Sequence, residues 1–126
     1  MEQKILIVDD EAHIRMLIEQ TLEELEDEEV TFLKADNGED ALEIIRRERP
    51  QLVFLDVMMP KMNGMEVCHK VKKELNLDGV YIVLLTAKGQ EVDRLKGQEV
   101  GADVYMTKPF DPEVLLLKAR TVLGLV

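Results

Sequence analysis

The sequence carries one cysteine, no tryptophan, and only 2 tyrosines and 3 phenylalanines in 126 residues. A lone Cys68 rules out an intrachain disulfide, so the fold must rest on a packed core and an oxidising compartment is disfavoured. No apolar run approaches the roughly 20 residues that a membrane-spanning helix needs. The opening MEQKILIVDD lacks the apolar core and small-residue cleavage site of a secretion signal. A cytoplasmic chain without a membrane segment is therefore expected. Cations are also in short supply: 16 lysines and arginines face 26 aspartates and glutamates, a formal net charge of -10. Binding a nucleic-acid backbone calls for clustered positive charge, so direct nucleic-acid contact is not expected. Much of the acidity falls in Glu19 to Glu29 (EQTLEELEDEE), which reads as the solvated face and end of a helix.

What the chain does have is a core laid out in short bursts. Its length is close to the commonest domain size, so residues 1–126 are expected to form one domain. Lys4 to Val8 (KILIV), Leu52 to Leu55 (LVFL) and Val80 to Leu85 (VYIVLL) are continuous apolar runs, the pattern of strands buried on both faces. Val30 to Leu33 and Val104 to Met106 read as two shorter strands. Between them the period changes. Ile14, Leu17, Ile18, Thr21, Leu22 and Leu25 recur at helical spacing. A second helix follows Asn37, a plausible N-cap, and carries Ala41, Leu42, Ile44 and Ile45. A third opens at Asn63 and Gly64 with Val67, Cys68, Val71 and Leu75 on its inner face. A weaker one spans Gly89 to Val100 and stops at Gly101. The last starts at Asp111 and Pro112 and runs from Val114 to Leu123. Five alternations of strand and helix predict right-handed crossovers and a doubly wound five-stranded parallel α/β sheet.

That topology places every strand's carboxyl end on one edge, where ligands bind. The residues at those ends are Asp9 and Asp10, Asp56, Thr86 and Lys108. Taken singly, each has an ordinary reading: a helix-capping Asp, a strand-end hydroxyl, a solvated lysine. Brought to one rim, they have a chemistry in common. Crowded carboxylates repel and favour a hard divalent cation, and an all-oxygen, partly hydrated set suits Mg²⁺ better than Zn²⁺. A lysine ammonium and a threonine hydroxyl suit phosphoryl oxygens, and a carboxylate can act as nucleophile to form an aspartyl-phosphate. Asp56, alone at the end of a buried strand, is the candidate nucleophile.

Four segments in order, ILIVDD, LVFLDVMMPKMNG, LLTA and TKPF, resemble the receiver domain of two-component response regulators over essentially the whole chain. The resemblance implies a flavodoxin-like (βα)5 fold with strand order 2-1-3-4-5. It implies that Asp10 coordinates Mg²⁺ with Asp9 assisting, and that Asp56 binds the metal and accepts a phosphoryl group from a sensor histidine kinase. Met58 would add its backbone carbonyl to the metal site. Thr86 and Lys108 would hold phosphoryl oxygens, the Lys108–Pro109 peptide would be cis, and Tyr105 would occupy an aromatic switch position beside Thr86. Asn63 and Met58 depart mildly from the commonest family pattern, the second at a position overhanging the path of hydrolytic water. The implied protein is a signalling switch rather than a conventional enzyme, a single-domain regulator or phosphorelay intermediate. It would be a monomer or a weak phosphorylation-dependent dimer acting on an unknown downstream protein. A phosphatase working through a similar aspartyl-phosphate would want a second acid two residues after Asp56, and Met58 cannot move protons there. A degenerate docking scaffold would have lost an acidic ligand or the lysine, and none is lost.

Overall fold

Continuous apolar runs have no solvent face to offer, so they can only serve as strands covered on both sides. A computed structural model describes residues 2–87 and 99–125, and it shows that arrangement. Strands β1 (Gln3–Val8), β2 (Val30–Ala35), β3 (Leu52–Asp56), β4 (Tyr81–Ala87) and β5 (Val104–Lys108) form one parallel sheet in the order β2-β1-β3-β4-β5. Helices α1 (Ala12–Thr21), α2 (Gly38–Glu48), α3 (Gly64–His69) and α4 (Pro112–Leu123) are joined to it by short turns. The expected doubly wound α/β sheet and its strand order are present. The helix expected over Gly89 to Val100 lies, for most of its length, outside the described residues.

Alternation along each strand sorts the side chains into two cores. Leu6, Val8, Val53, Leu55, Ile82 and Leu84 face α2 and α3, through Ala41, Ile45, Val67, Cys68 and Val71. Ile5, Ile7, Leu52, Phe54, Val83 and Leu85 face α1 and α4, through Ile18, Leu115, Ala119 and Leu123. Burial pushes the Cys68 thiol up to about 12, and it behaves as a small core residue.

Helix starts follow the expected capping chemistry. Asn37 accepts from the Asp40 backbone N–H, Asn63 forms a capping box with Glu66, and Asp111 accepts from the Glu113 N–H ahead of Pro112. Helix ends are less regular. The first helix stops at Thr21 and continues as a 3₁₀ turn over Glu23–Glu28, so the acidic stretch is a separate tight turn. Leu17, expected on the inner stripe, is exposed; Ile14, Ile18, Leu22 and Leu25 carry that stripe instead. Leu75 is also exposed rather than inward. A π turn at Lys70–Glu74, closed by Leu75 N–H donating to the Lys70 carbonyl at 2.8 Å, adds a residue to the turn and rotates Leu75 off the core face.

Phe54 is fully buried at the centre of the α1/α4 core. Phe54→Ala is expected to cost about 3–5 kcal/mol, read as a lower urea midpoint with an unchanged slope.

Candidate functional site

The strand order reverses between β1 and β3, and the crevice of such a sheet opens at that switch point. The carboxyl end of β1 leads directly into Asp9 and Asp10, and β3 ends on Asp56. Register places the rest of the rim. Asp56 pairs with Leu85 of β4, one residue before Thr86, and Leu85 pairs with Met106 of β5, two residues before Lys108. Residues separated by up to 99 positions thus meet on one edge because each terminates an apolar run.

The interior of this rim is tightly bonded. Asp9 is fully buried, Asp56 is 5% exposed and Thr86 2%, whereas Asp10 is exposed. The Lys108 ammonium lies 2.7 Å from Asp9 Oδ2 and 3.0 Å from Asp56 Oδ1, bridging the two buried carboxylates. The other Asp9 oxygen accepts from the Glu11 N–H at 2.9 Å, a turn bond just ahead of α1, which itself has no side-chain cap. The Lys108–Pro109 peptide is cis. Tyr105 is half-buried on β5, in register with Leu84.

The loop from Val57 to Asn63 forms the near wall. Its ends are drawn together by Gly64 N–H donating to the Val57 carbonyl at 2.9 Å. Met62 N–H donates to the Pro60 carbonyl at 2.8 Å, and Lys61 adopts a left-handed backbone at φ 69°. Gly64 lies so close to the Asp56 carbonyl that a Cβ there would overlap it. Met58, two residues past Asp56, is 66% exposed.

The charges are unbalanced. Burial pushes Asp56 up to about 6; the Lys108 hydrogen bond works against it, and the charges of Asp9 and Asp10 add to the rise. Lys108 is pulled down by its own burial, but hydrogen bonds to Asp9 and Asp56 outweigh this and leave it above its ordinary value. Carboxylate oxygens of Asp9, Asp10 and Asp56 lie within 4.8 Å of one another. At an effective dielectric of ~20, charges at that range repel by on the order of 3 kcal/mol per pair. Three hard oxygen donors converging from one rim fit a divalent cation of the Mg²⁺ type. Sequence patterns identified Asp9, Asp10, Asp56, Thr86 and Lys108 as strand-end residues, and the structure brings them to one edge. They did not reveal the Lys108–Asp9 bond or Gly38, which packs on the Met62 carbonyl from the start of α2. Nothing in local sequence signals either contact.

Comparisons with known proteins point the same way. The family described as the response regulator receiver domain matches residues 5–120. The probable transcriptional regulator ycf27 of Porphyra purpurea is 49% identical over 122 residues, covering 97% of this chain and 48% of that protein. The alkaline phosphatase synthesis transcriptional regulatory protein PhoP of Bacillus subtilis is 42% identical over 123 residues, covering 98% and 49%. The chain spans about half the length of these curated relatives. The crystal structure of a putative response regulator from Chloroflexus aurantiacus superposes with a TM-score of 0.87 at 29% identity, covering 98% of this chain and 99% of that one.

In the unfolded chain Asp56 titrates near the ordinary carboxylate value of about 4, and in the metal-free fold near about 6. The folded state holds the extra proton between those values, so stability falls as pH rises through that window and stays low above it. Asp56→Asn removes the loss. In EDTA the substitution is expected to raise Tm by roughly several degrees near pH 7.5, with the gain shrinking below about pH 6 and vanishing near about pH 4. Thermal unfolding followed by circular dichroism checks it.

Proposed function

The chain belongs to the response regulator receiver domain family, and from that premise we propose that Asp56 is its phosphoacceptor in a Mg²⁺-dependent signalling switch fed by a sensor histidine kinase. The observation that carries this is the bridged site itself: a buried strand-end carboxylate 3.0 Å from Lys108 and clustered with Asp9 and Asp10. Residues 1–126 act as one receiver domain.

Asp9, Asp10 and Asp56, with the backbone carbonyl of Met58, would hold the cation. The bound ion supplies charge neutralisation for the reacting oxygens. Asp56, titrating near about 6, is largely ionised at neutral pH and so able to attack phosphorus. A carboxylate oxygen forms the new O–P bond as the N–P bond of the donor phosphohistidine breaks, and the imidazole leaves with the electron pair. Lys108 pairs with one phosphoryl oxygen and is already in reach, while the Thr86 hydroxyl donates to another. Thr86 moving towards the phosphate would alter the room available to Tyr105 on the neighbouring strand, which is the switch. The exposed Met58 side chain governs the approach of hydrolytic water. The chemistry is the domain's own phosphorylation and dephosphorylation rather than turnover of a separate substrate.

The partners are a sensor histidine kinase and a downstream protein, and the working state is a monomer or a weak phosphorylation-dependent dimer in the cytoplasm. Among the described residues no helix is long and apolar enough to cross a membrane. As a single-domain regulator or phosphorelay intermediate, the chain would have no nucleic-acid contact of its own, in keeping with a net charge of -10. The naming of its relatives as transcriptional regulators of about twice this span favours a second reading, in which this is the receiver half of a DNA-binding protein. The mass of the native polypeptide separates the two.

With Mg²⁺ and acetyl phosphate the protein is expected to gain one phosphoryl group, seen by intact mass, and EDTA present from the start is expected to prevent the gain. Asp56→Ala is expected to gain none. Label retained in that variant would move the acceptor elsewhere and end the assignment.

A further inference from the structure

We propose that Gly38, the first residue of α2, is a positioning residue for the metal- and phosphate-binding loop, setting the height of the Val57 to Asn63 segment by direct backbone contact. This rests on the functional reading above.

Gly38 is 18 positions before Asp56 and touches none of the site's carboxylates, so sequence gives it only a place in a turn. In the structure it is buried, and its Cα faces the Met62 carbonyl. A Cβ added there would overlap that carbonyl oxygen and lie 2.6 Å from Met62 C and 2.7 Å from Met62 Cβ. All three atoms belong to Met62's backbone or its root, so no flexible side-chain tip can swing away. Something in the main chain has to move.

The two sides of the contact differ in stiffness. On the α2 side, the Asn37 carboxamide accepts from Asp40 N–H at 2.9 Å and donates to Asp36 Oδ1 and Asp40 Oδ2. Ala41 and Ile45 fix the helix in the core. Opposite, the loop holds itself by Met62 N–H to Pro60 and by Gly64 N–H to Val57. The loop is the softer element. Its other end is tethered, because Gly64 N–H is bonded to the Val57 carbonyl at 2.9 Å and Gly64 is packed on the Asp56 carbonyl. Displacement at Met62 therefore runs back through Lys61 and Pro60 towards Met58, whose carbonyl points the metal reading at this loop. The two glycines act as paired stops, one at each end of the wall.

Relief of the overlap needs a shift of about 1 Å, and outer-sphere changes of that kind typically weaken a metal site by roughly 10–100-fold. Gly38→Ala is expected to raise the Mg²⁺ Kd at least about tenfold, by calorimetric titration at a temperature where both proteins are folded. It should also slow labelling by acetyl phosphate at fixed Mg²⁺, with the rate restored by excess Mg²⁺. Gly79→Ala is the control, since a Cβ there meets nothing within 4 Å. A merely structural role for Gly38 would lower Tm and leave Kd unchanged, and that result overturns the proposal. Should Gly38→Ala not fold, the wild-type protein still decides. On Mg²⁺ addition the Gly38 amide resonance should shift with those of 57–63 while Gly79 stays fixed, and an unmoved Gly38 overturns the proposal. Wild-type protein that binds no Mg²⁺ removes the functional reading; wild type and variant binding alike remove only this inference.

Discussion

A carboxylate has to stay usable at the end of a strand whose every residue is buried, and the arrangement of the molecule follows from that constraint. An isolated charge in such a place costs several kcal/mol, and it is tolerated only with partners and hydrogen bonds. Lys108 is the protein's own answer, arriving on the last strand to bridge Asp56 and Asp9. It is also an incomplete answer. Three carboxylates against one ammonium leave two negative charges on the rim when all are ionised, and Asp56 is pushed up accordingly. The residual charge matches a divalent cation, and a phosphoryl group on Asp56 would add to the negative charge that cation and Lys108 must offset. The excess negative charge of the rim thus follows from charge balance among these four groups.

Charge balance matters only if the groups stay where they are, and the means of holding them are mostly main-chain. Strand register fixes Asp56, Thr86 and Lys108 relative to one another, because each follows paired residues with no slack between. The loop after β3 has no ladder to hold it. Short internal hydrogen bonds and close approaches at Gly38 and Gly64 take over that task. Close packing of backbone on backbone transmits position well, since neither side has a rotamer to change.

Much of this was legible in the amino-acid sequence, and the reasons are specific. Runs such as LVFL have no polar face, so a strand covered on both sides is the only fit, and a strand's last residue is visible as the first charge. That made Asp9, Asp56 and Lys108 readable as rim residues without any knowledge of their contacts. Helix ends were harder. Leu75 sits at a spacing that predicts burial beside Val71, but a π turn shifts its phase, and pattern reading assumes a constant 3.6 period. Glu29 and Arg49 close their elements in left-handed conformations at φ 62° and 49°, where composition rules look for glycine or asparagine. Composition also cannot say which of two adjacent acids faces inward. The structure buries Asp9 against Lys108 and leaves Asp10 exposed, a distinction set by the strand's pleat and the start of α1.

The position of Lys108 is itself decided at the opposite edge of the sheet. Asp103, just before β5, accepts from the Ile82 N–H at 2.8 Å and pairs with Lys72 at 2.8 Å, while its own N–H donates to the Ile82 carbonyl. Lys72 stands on the π turn after α3, is nearly buried, and also donates to the Val80 carbonyl. Gly101, at φ 90°, lies against the Lys72 stem, 3.2 Å from its Cβ by the position its own Cβ would take. Lys72 is nearly buried and Asp103 is exposed, so the pair is only half desolvated, and the hydrogen bonds to β4 share the work of setting this corner. From Asp103, five residues of β5 in strict register with β4 carry the chain to Lys108. The lysine that meets Asp103 thus stands on the same irregular turn that shifts the phase of Leu75, and Asp103 in turn marks where β5 begins.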